Sequence, residues 1–558
     1  MTTLPAADAP IPIFTTLQDL YGSVTTALKH AERWDELARE FEIKFGHKPT
    51  YIARAPGRVN SHTTGEHIDY AHFGVFPAAI EHDILIACAP QSMSTTITHT
   101  STNQPGSVVA ENLHTRYTRQ VFTPTRRHTV GDDVLQGAVR VAPWHLDIDK
   151  SELRWESYVK AGYYGVLNHF FTPSSASPVP VPVEILVTGN VPAGSGLSSS
   201  AAMVVSSTLA FLAINGIFDG EDAPTKGELV NIAMENEKRV GVNSGGMDQS
   251  ASVIALPGSA LYVSFAPSLH AEPIVLPRNA VLVCANSLVI SNKAENARHQ
   301  YNLRVVETLG AARVLSNYLN LEVDSTDGKT TKRHLVTLRE VLARKGNFYR
   351  DEQDAQQEDL TQLRKGLEDM LKGKVLDYLL PRIEGRTGVT LDEMIYMSGM
   401  DKTEFMEVYL SWVDVETTHF ELYLRAKHVF EEALRVLQFR EVCSAGGESK
   451  LQTLGKLMND SHESCDKQFD CSHSKVNDLV QVARSFSEME TGRGKGKVYG
   501  SRVTGAGWGG CIVCLVHRED VDAFIVHVKK RYAPYEGMSE EDLANWVFAT
   551  EPGMGACG

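Results

Sequence analysis

Apolar and polar positions alternate along this chain in several distinct rhythms. From about Tyr21 to Phe45 apolar residues recur at helical spacing, with Leu28, Trp34, Leu37 and Phe41 on one face, which predicts an amphipathic helix. Val183 to Gly189 (VEILVTG) is a short apolar run that predicts a buried strand. After Ala202 the segment MVVSSTLAFLAI is apolar at helical spacing. Between strand and helix lies VPAGSGLSSSAA, Val191 to Ala202. A strand, a glycine-serine loop and a helix start bring backbone N–H groups and a helix N-terminus to one spot, which favours an anion, phosphate above all. Such a loop also serves merely to turn a chain. No lysine follows its second glycine, so it is not a Walker-type loop.

The remaining pattern is coarser. Residues 1–14 mix prolines and alanines without a period and predict a loose arm. Ser92 to Asp149 is polar and Thr-rich, with short alternating stretches that suggest hairpins. Thr172 to Pro182 predicts a loop, and Asp219 to Gly246 a turn, a helix and a tight glycine-rich turn. From about 324 to 446 the chain turns rich in Leu, Glu, Lys and Arg and predicts a series of amphipathic helices. Met489 to Lys497 predicts an exposed loop, and no repeat at solenoid spacing is present.

Length and charge narrow the class. A chain of 558 residues suggests two to four domains, and two domains with insertions fit as well. Its net charge of −15 argues against nonspecific nucleic-acid binding and against an anionic membrane surface. It leaves MgATP open, because loop dipoles act locally and Mg²⁺ offsets phosphate charge. Eight cysteines in so long a chain are too sparse for a disulfide scaffold. Cys511 and Cys514 form a CxxC, but within the apolar run GGCIVCLV they read as buried strand residues. Cys465 and Cys471 lack a second pair or histidine frame for zinc. The sequence shows neither a signal segment nor a bilayer-length apolar stretch, so the expected location is cytoplasmic.

Two further segments change the picture. ARAPGRVNSHTTGEHIDY runs from Ala53 to Tyr70, and GSRVTGAGWGGCIVCLV from Gly500 to Val516. With the glycine-serine loop they resemble, in order and spacing, the three signature motifs of the GHMP kinases. GEHIDY, Gly65 to Tyr70, narrows the resemblance to the galactokinase branch. NSGGMDQSASV (Asn243 to Val253), YNLRVVE (Tyr301 to Glu307), RAKHVF (Arg425 to Phe430) and LMNDSHESCDK (Leu457 to Lys467) look like its long fungal members. The resemblance implies an α+β, two-lobed GHMP kinase fold. Its expected lobes are residues 1–275 and 276–558, with a helical insertion at about 324–446 in the second and the site in the cleft between them. The implied reaction is phosphorylation of α-D-galactose at its 1-hydroxyl by ATP with Mg²⁺.

Phosphoryl transfer needs a phosphate cradle, a metal ligand set, a positioned acceptor and charge stabilisation. The cradle is Gly194, Ser195, Gly196, Leu197, Ser198, Ser199, Ser200 and Ala201 with the following helix dipole. The resemblance implies Mg²⁺ ligands at Ser200 and at a glutamate, Glu235 or Glu237. The resemblance favours Glu237, because it lies 11 positions before Asp248, the spacing that the family implies. Asp248 alone reads as a helix N-cap; the resemblance makes it the group that accepts or orients the proton of the sugar hydroxyl. Arg58, fixed by a Pro-Gly turn, is its expected partner and stabilises γ-phosphoryl charge. Glu66, His67 and Asp69 are implied galactose ligands, with Gly245 and Tyr301 as further sugar contacts. His67 reads as a hydrogen-bonding residue, since no second histidine is suitably spaced for a metal. Trp155 and Tyr158 match a family pair around adenine, although Trp and Tyr at this spacing also pack cores.

One departure stands out. Asn60 is followed by Ser61-His62-Thr63-Thr64 before Gly65, two residues longer and more polar than the family's usual connection. Either this loop bulges outward or it disturbs the link between Arg58 and Glu66. Two alternatives accompany the kinase reading. One is an N-acetylgalactosamine kinase. The other is a galactose sensor that binds ATP and sequesters a transcriptional repressor; sensor-only forms lack two residues after the serine run, whereas Ala201 and Ala202 are present here.

Overall fold

The computed structural model describes residues 6–60, 65–92, 104–128, 141–150, 152, 154–172, 179–218, 223–241, 245–291, 296–322, 335–346, 348, 358–445, 450–491 and 494–558. Two β-sheets organise it. The first has the order β1-β2-β5-β3-β4, from β1 (Tyr51–Asn60), β2 (Pro77–Pro90), β3 (Val108–Asn112), β4 (Gln120–Phe122) and β5 (Val183–Gly189). Its pairs are antiparallel except β3 with β5. From Ile84 to Ala89 β2 is apolar on both faces because both are covered. Leu85, Ala87 and Ala89 join Leu37 and Phe41 of helix α1 (Val24–Phe45), while Ile84, Ile86 and Cys88 enter the main core.

α1 is set by a Ser23 N-cap that accepts from the Thr26 N–H and by Gly46 in the left-handed region at φ +80°. Leu37 and Phe41 are buried as expected and Trp34 packs beside them, but Leu28 is 68% exposed and Ala27 is buried in its stead. Ala27 and Leu28 are one position apart, a rotation of about 100° on a helix, so the buried face includes the small residue and excludes the large one.

On the opposite face lie α2 (Trp155–Phe170) and α3 (Ser199–Ile214), then α4 (Lys226–Glu237) and α5 (Met247–Ile254). A hairpin of β6 (Ser259–Ser264) and β7 (His270–Val275) leads to the second sheet. That sheet has the order β9-β10-β8-β11, all antiparallel, from β8 (Ala280–Asn286), β9 (Val498–Val503), β10 (Cys511–His517) and β11 (Val547–Thr550). Cys511 and Cys514 are buried in β10 and free, as strand residues.

The 324–446 region is helical where described, including Leu338–Gly346, Leu360–Lys372, Leu391–Ser398 and α7 (Leu422–Ser444). Its helices also reach earlier parts of the chain. Phe430 and Phe439 of α7 meet Phe73 and Phe76, and Arg440 pairs with Glu272 of the hairpin at 2.6 Å. The N-terminal arm is also not loose where described. Ala7 and Ala9 carbonyls accept from Gly227 and Lys226 at the start of α4, and Phe14 and Pro12 exchange bonds with the terminal Gly558. These long-range partners carry no local signal. Met489–Lys497 forms a small hairpin of Glu490–Thr491 with Gly494–Lys495. Among the described residues no helix is long and apolar enough to cross a membrane.

Candidate active site

The end of β1 brings the site together. Arg58 is fully buried, and its Nε donates to Asp248 Oδ1 at 2.8 Å. Another guanidinium nitrogen donates to the Gly196 carbonyl at 2.6 Å. The Arg58 backbone N–H donates to the Leu197 carbonyl at 3.1 Å. One arginine therefore ties the first motif to the glycine-serine loop and to Asp248, which stands 4% exposed in the first turn of α5.

The glycine-serine loop is shaped for an anion. Gly194 and Gly196 adopt φ of +68° and +75°, and Ser198 enters α3 at φ +57°. Ser199 begins the helix, so the free N–H groups of α3 open at Ser198–Ala201. Ser198 Oγ is buried with no hydrogen-bond partner among the described residues, and Ser199 and Ser200 are half-buried. Ser195 Oγ is instead committed to the Pro192 carbonyl at 2.5 Å. The third motif closes against this loop. A Cβ on Gly196 would meet the Thr504 carbonyl oxygen at 2.7 Å, and one on Gly510 the Ser195 carbonyl oxygen at 2.6 Å. Cys511 N–H donates to the Ser195 carbonyl at 2.8 Å. The glycines of Gly505–Gly510 permit this approach of one backbone to another.

Of the implied sugar residues, Asp69, Gly245 and Tyr301 lie near Asp248. Burial pushes the Tyr301 hydroxyl well above its ordinary value; Asp69, Tyr70 and Asp248 add to the push and Arg58 opposes it. These groups therefore share one low-dielectric space. Tyr301 begins α6 (Tyr301–Tyr318) and is 2% exposed. Asp69 accepts from the Gly245 and Met247 N–H groups at 3.1 and 3.4 Å, so it also caps the start of α5. Gly245 is required there, because a Cβ would meet the Asp69 carboxyl carbon at 2.6 Å. His67 is fully buried, with Nε2 at 2.8 Å from the Ala506 carbonyl and Nδ1 at 3.2 Å from the Tyr70 hydroxyl. Glu66 lies in the Gly65–His67 turn, and Ser61–Thr64 fall outside the described residues.

Of the two candidate glutamates, Glu235 is exposed and paired with Lys238 at 2.8 Å. Glu237 is buried at the end of α4 and accepts from Gln249, the neighbour of Asp248, at 2.5 Å. Trp155 and Tyr158 occupy the first turn of α2, which packs on α3. The Trp155 ring lies 6.2 Å from Tyr117, and its Nε1 is buried without an acceptor among the described residues. No group of three His, Cys, Asp or Glu suited to a metal occurs among the described residues.

Sequence reasoning missed several residues that shape the site. Thr504 Oγ1 accepts from the Asn60 N–H at 2.9 Å and joins first motif to third. Tyr70, Phe469 and Trp508 stand around His67, with Phe469 and Trp508 ring centroids at 4.7 and 5.6 Å. Tyr70 and Trp508 lie inside quoted motifs and were open to notice; Phe469 lies outside every motif.

Comparison with known proteins agrees with this geometry. Residues 39–90 match the galactokinase galactose-binding signature, 157–255 the GHMP kinase N-terminal domain and 441–534 the GHMP kinase C-terminal domain. The chain is 33% identical to a galactokinase of Dictyostelium discoideum, over 98% of this chain and 97% of that one. It is 32% identical to a galactokinase of Saccharomyces cerevisiae, over 94% of each. A crystal structure of Lactococcus lactis galactokinase complexed with galactose superimposes with a TM-score of 0.59 at 20% identity, covering 94% of this chain and 99% of that one, and shares the fold. Identity to galactokinases at this level, sustained from end to end, means that the chain belongs to the galactokinase family.

Proposed function

We propose that this chain transfers the γ-phosphoryl group of ATP to the 1-hydroxyl of α-D-galactose, giving galactose 1-phosphate and ADP. The observation that carries this reading is the buried Arg58–Asp248 pair, joined through Gly196 to the phosphate loop and surrounded by Asp69 and Tyr301. Asp248 accepts the proton of the sugar hydroxyl as that oxygen bonds to the γ-phosphorus. The bond from the γ-phosphorus to the β,γ-bridging oxygen breaks, and its electron pair leaves with ADP. Arg58 orients Asp248 through its buried guanidinium and offsets negative charge gathering on the phosphoryl oxygens.

Gly194 to Ala201 hold the phosphates through backbone N–H groups and the α3 N-terminus. The unpartnered Ser198 hydroxyl supports that reading. Ser200 and Glu237 together offer oxygen donors suited to Mg²⁺, a hard cation. These two residues would hold Mg²⁺, which would supply charge neutralisation to the nucleotide phosphates. Glu66, His67, Asp69, Gly245 and Tyr301 line the sugar site, and Trp155 and Tyr158 flank adenine. The lobe boundary is taken near residue 275, where β7 ends.

The test is an ATP-dependent phosphorylation assay across galactose, N-acetylgalactosamine, glucose and mevalonate. Turnover of galactose well above the others is expected. Preference for N-acetylgalactosamine would reassign the substrate, and ATP binding without transfer to any sugar would reject the kinase reading.

A further inference from the structure

Three sequence blocks contribute little beyond Tyr301 to the chemistry above: YNLRVVE, RAKHVF and LMNDSHESCDK. They lie on α6, on α7 and on α8 (Lys450–Lys467), and the fold brings their ends together below the sugar site. At the centre is Glu307, 1% exposed. Its Oε2 accepts from Arg304 and from Arg425, both at 3.0 Å, and its Oε1 accepts from the Glu421 N–H at 2.8 Å. Both arginines are buried as well.

Other donors of both arginines reach one turn just after α8. Arg425 donates to the Gln468 carbonyl at 2.5 Å. Arg304 donates to the Phe469 carbonyl at 2.7 Å, and to the Asp470 carbonyl and carboxylate at 3.1 and 2.9 Å. Three successive carbonyls are thus gripped by two guanidinium groups anchored on one carboxylate. The grip matters because Asp470 sits at φ +53°, a conformation that a non-glycine residue seldom adopts without support.

The gripped turn forms one wall of the sugar site. The Phe469 ring packs on His67 at 4.7 Å from one side and on His428 at 4.3 Å from the other. His428 is itself held by Ser464 Oγ at 2.8 Å from its Nδ1. Trp508 of the third motif donates its indole N–H to the Asp470 carbonyl at 3.0 Å and its backbone N–H to the Cys471 carbonyl at 2.7 Å. The Arg304 guanidinium lies 5.6 Å from the Trp508 ring centroid. His67 is therefore oriented from behind by Phe469 and Trp508, and both of these depend on the turn.

We propose that Glu307, Arg304 and Arg425 are positioning residues for galactose: they fix the Gln468–Cys471 turn, and through Phe469 and Trp508 they fix His67. The proposal rests on the reading of His67 as a sugar ligand. Planar guanidinium forks suit this role, because two fixed directions of donation define the turn where a single ammonium would not. A purely architectural ion cluster would lower stability and affect both substrates alike. A positioning cluster acts mainly on galactose, because Phe469 and Trp508 stand against His67, whereas the phosphate loop meets the third motif at Thr504 and Gly510.

Arg425→Met is the gentlest probe, since it leaves Arg304 and Glu307 as a neutral pair. In the full-length protein we expect the galactose KM to rise about tenfold, with kcat and the MgATP KM within about threefold of the natural chain. Arg425→Lys should recover part of the loss. Phe469→Leu, which leaves the charges untouched, should move the galactose KM in the same direction and decides the matter if Arg425→Met does not fold. Trp508 emission should shift in Arg425→Met, and this shift should vanish in a Trp508→Phe background. An unchanged galactose KM in folded Arg425→Met and Phe469→Leu, or an equal rise for both substrates, overturns the proposal. Failure of the natural chain to phosphorylate galactose rejects the functional reading instead. In that case Trp508 emission decides whether the clamp holds the turn: a shift in Arg425→Met supports it, and unchanged emission overturns it.

Discussion

Strand β1 carries two buried arginines, Arg54 and Arg58, each paired with a buried carboxylate from elsewhere in the chain. Arg54 Nε meets Asp83 Oδ2 at 2.5 Å, and Arg58 Nε meets Asp248 Oδ1 at 2.8 Å. Their surroundings differ. Around Arg54 everything is a chain end or a brace: Arg33 of α1 takes the other Asp83 oxygen, and the Met554 and Gly555 carbonyls accept from Arg54. The Arg54 backbone exchanges two hydrogen bonds with Cys557. Burial pushes the Asp83 carboxyl up, but Arg54 and Arg33 outweigh it and hold it below the usual carboxylate range. Around Arg58 stand the Gly196 carbonyl, Asp248 and the tyrosine-lined sugar space. The same ion pair is a staple in one place and, in the reaction proposed above, catalytic machinery four residues on. What distinguishes them is the group that the remaining donors meet.

Substitutions separate the two pairs in opposite directions. Asp83→Asn leaves Arg54 and Arg33 with a neutral partner in a buried site, and should cost about 3–5 kcal/mol of unfolding free energy in denaturant titration. Turnover per folded molecule should stay within about threefold. Asp248→Asn should do the reverse, lowering turnover at least about 100-fold, or about 2.7 kcal/mol of barrier, with galactose binding kept within a few-fold. If Asp83→Asn silences a folded enzyme, or Asp248→Asn works normally, the division between staple and machinery collapses. Gly196→Val attacks the Arg58 side from the phosphate loop. Its φ of +75° and the Thr504 oxygen 2.7 Å from a would-be Cβ both resist a side chain. MgATP affinity should fall at least about tenfold by calorimetry; unchanged affinity would mean that the phosphates bind away from this loop.

Much of this contrast was legible before any coordinates. Strand β5, the glycine-serine loop and α3 follow from apolar periodicity broken by glycines, because those signals are local. Arg58 and Asp248 were legible as partners only through motif resemblance, since 190 positions separate them. The staple was not legible. Nothing near Arg54 announces Asp83 or the C-terminal tail, and the docked arm at Ala7–Phe14 looks in sequence like free chain. Leu28 was misread: on a helix it stands about 180° from Leu37, whereas Ala27 stands only about 80° away, on the buried side. Glu237 was preferred on spacing, and its burial against Gln249 agrees with that choice without testing its role. The Phe469 turn was invisible because its meaning lies in two arginines from other helices.

The smallest expected effect concerns acid and the staple alone. His82 adjoins Asp83, its ring lies 4.0 Å from Phe548, and its Nδ1 is buried without a partner among the described residues. Burial lowers its pKa to about 4, with Arg33 and His30 pushing the same way and Asp83 opposing. An unfolded histidine titrates near 6.5, so between about pH 6.5 and 4 the unfolded chain binds a proton that the folded one refuses. This contribution is therefore fully present above pH 6.5 and is lost as pH falls towards 4. His428 and His462, lowered to about 3 mainly by burial, act with the same sign. His82→Phe removes one of the three and keeps a ring against Phe548. The natural chain should lose Tm on going from pH 7.5 to 5, and His82→Phe should lose about a degree less. An equal loss in both would show that acid sensitivity lies elsewhere, and that the staple is insulated from protons as completely as its buried charges suggest.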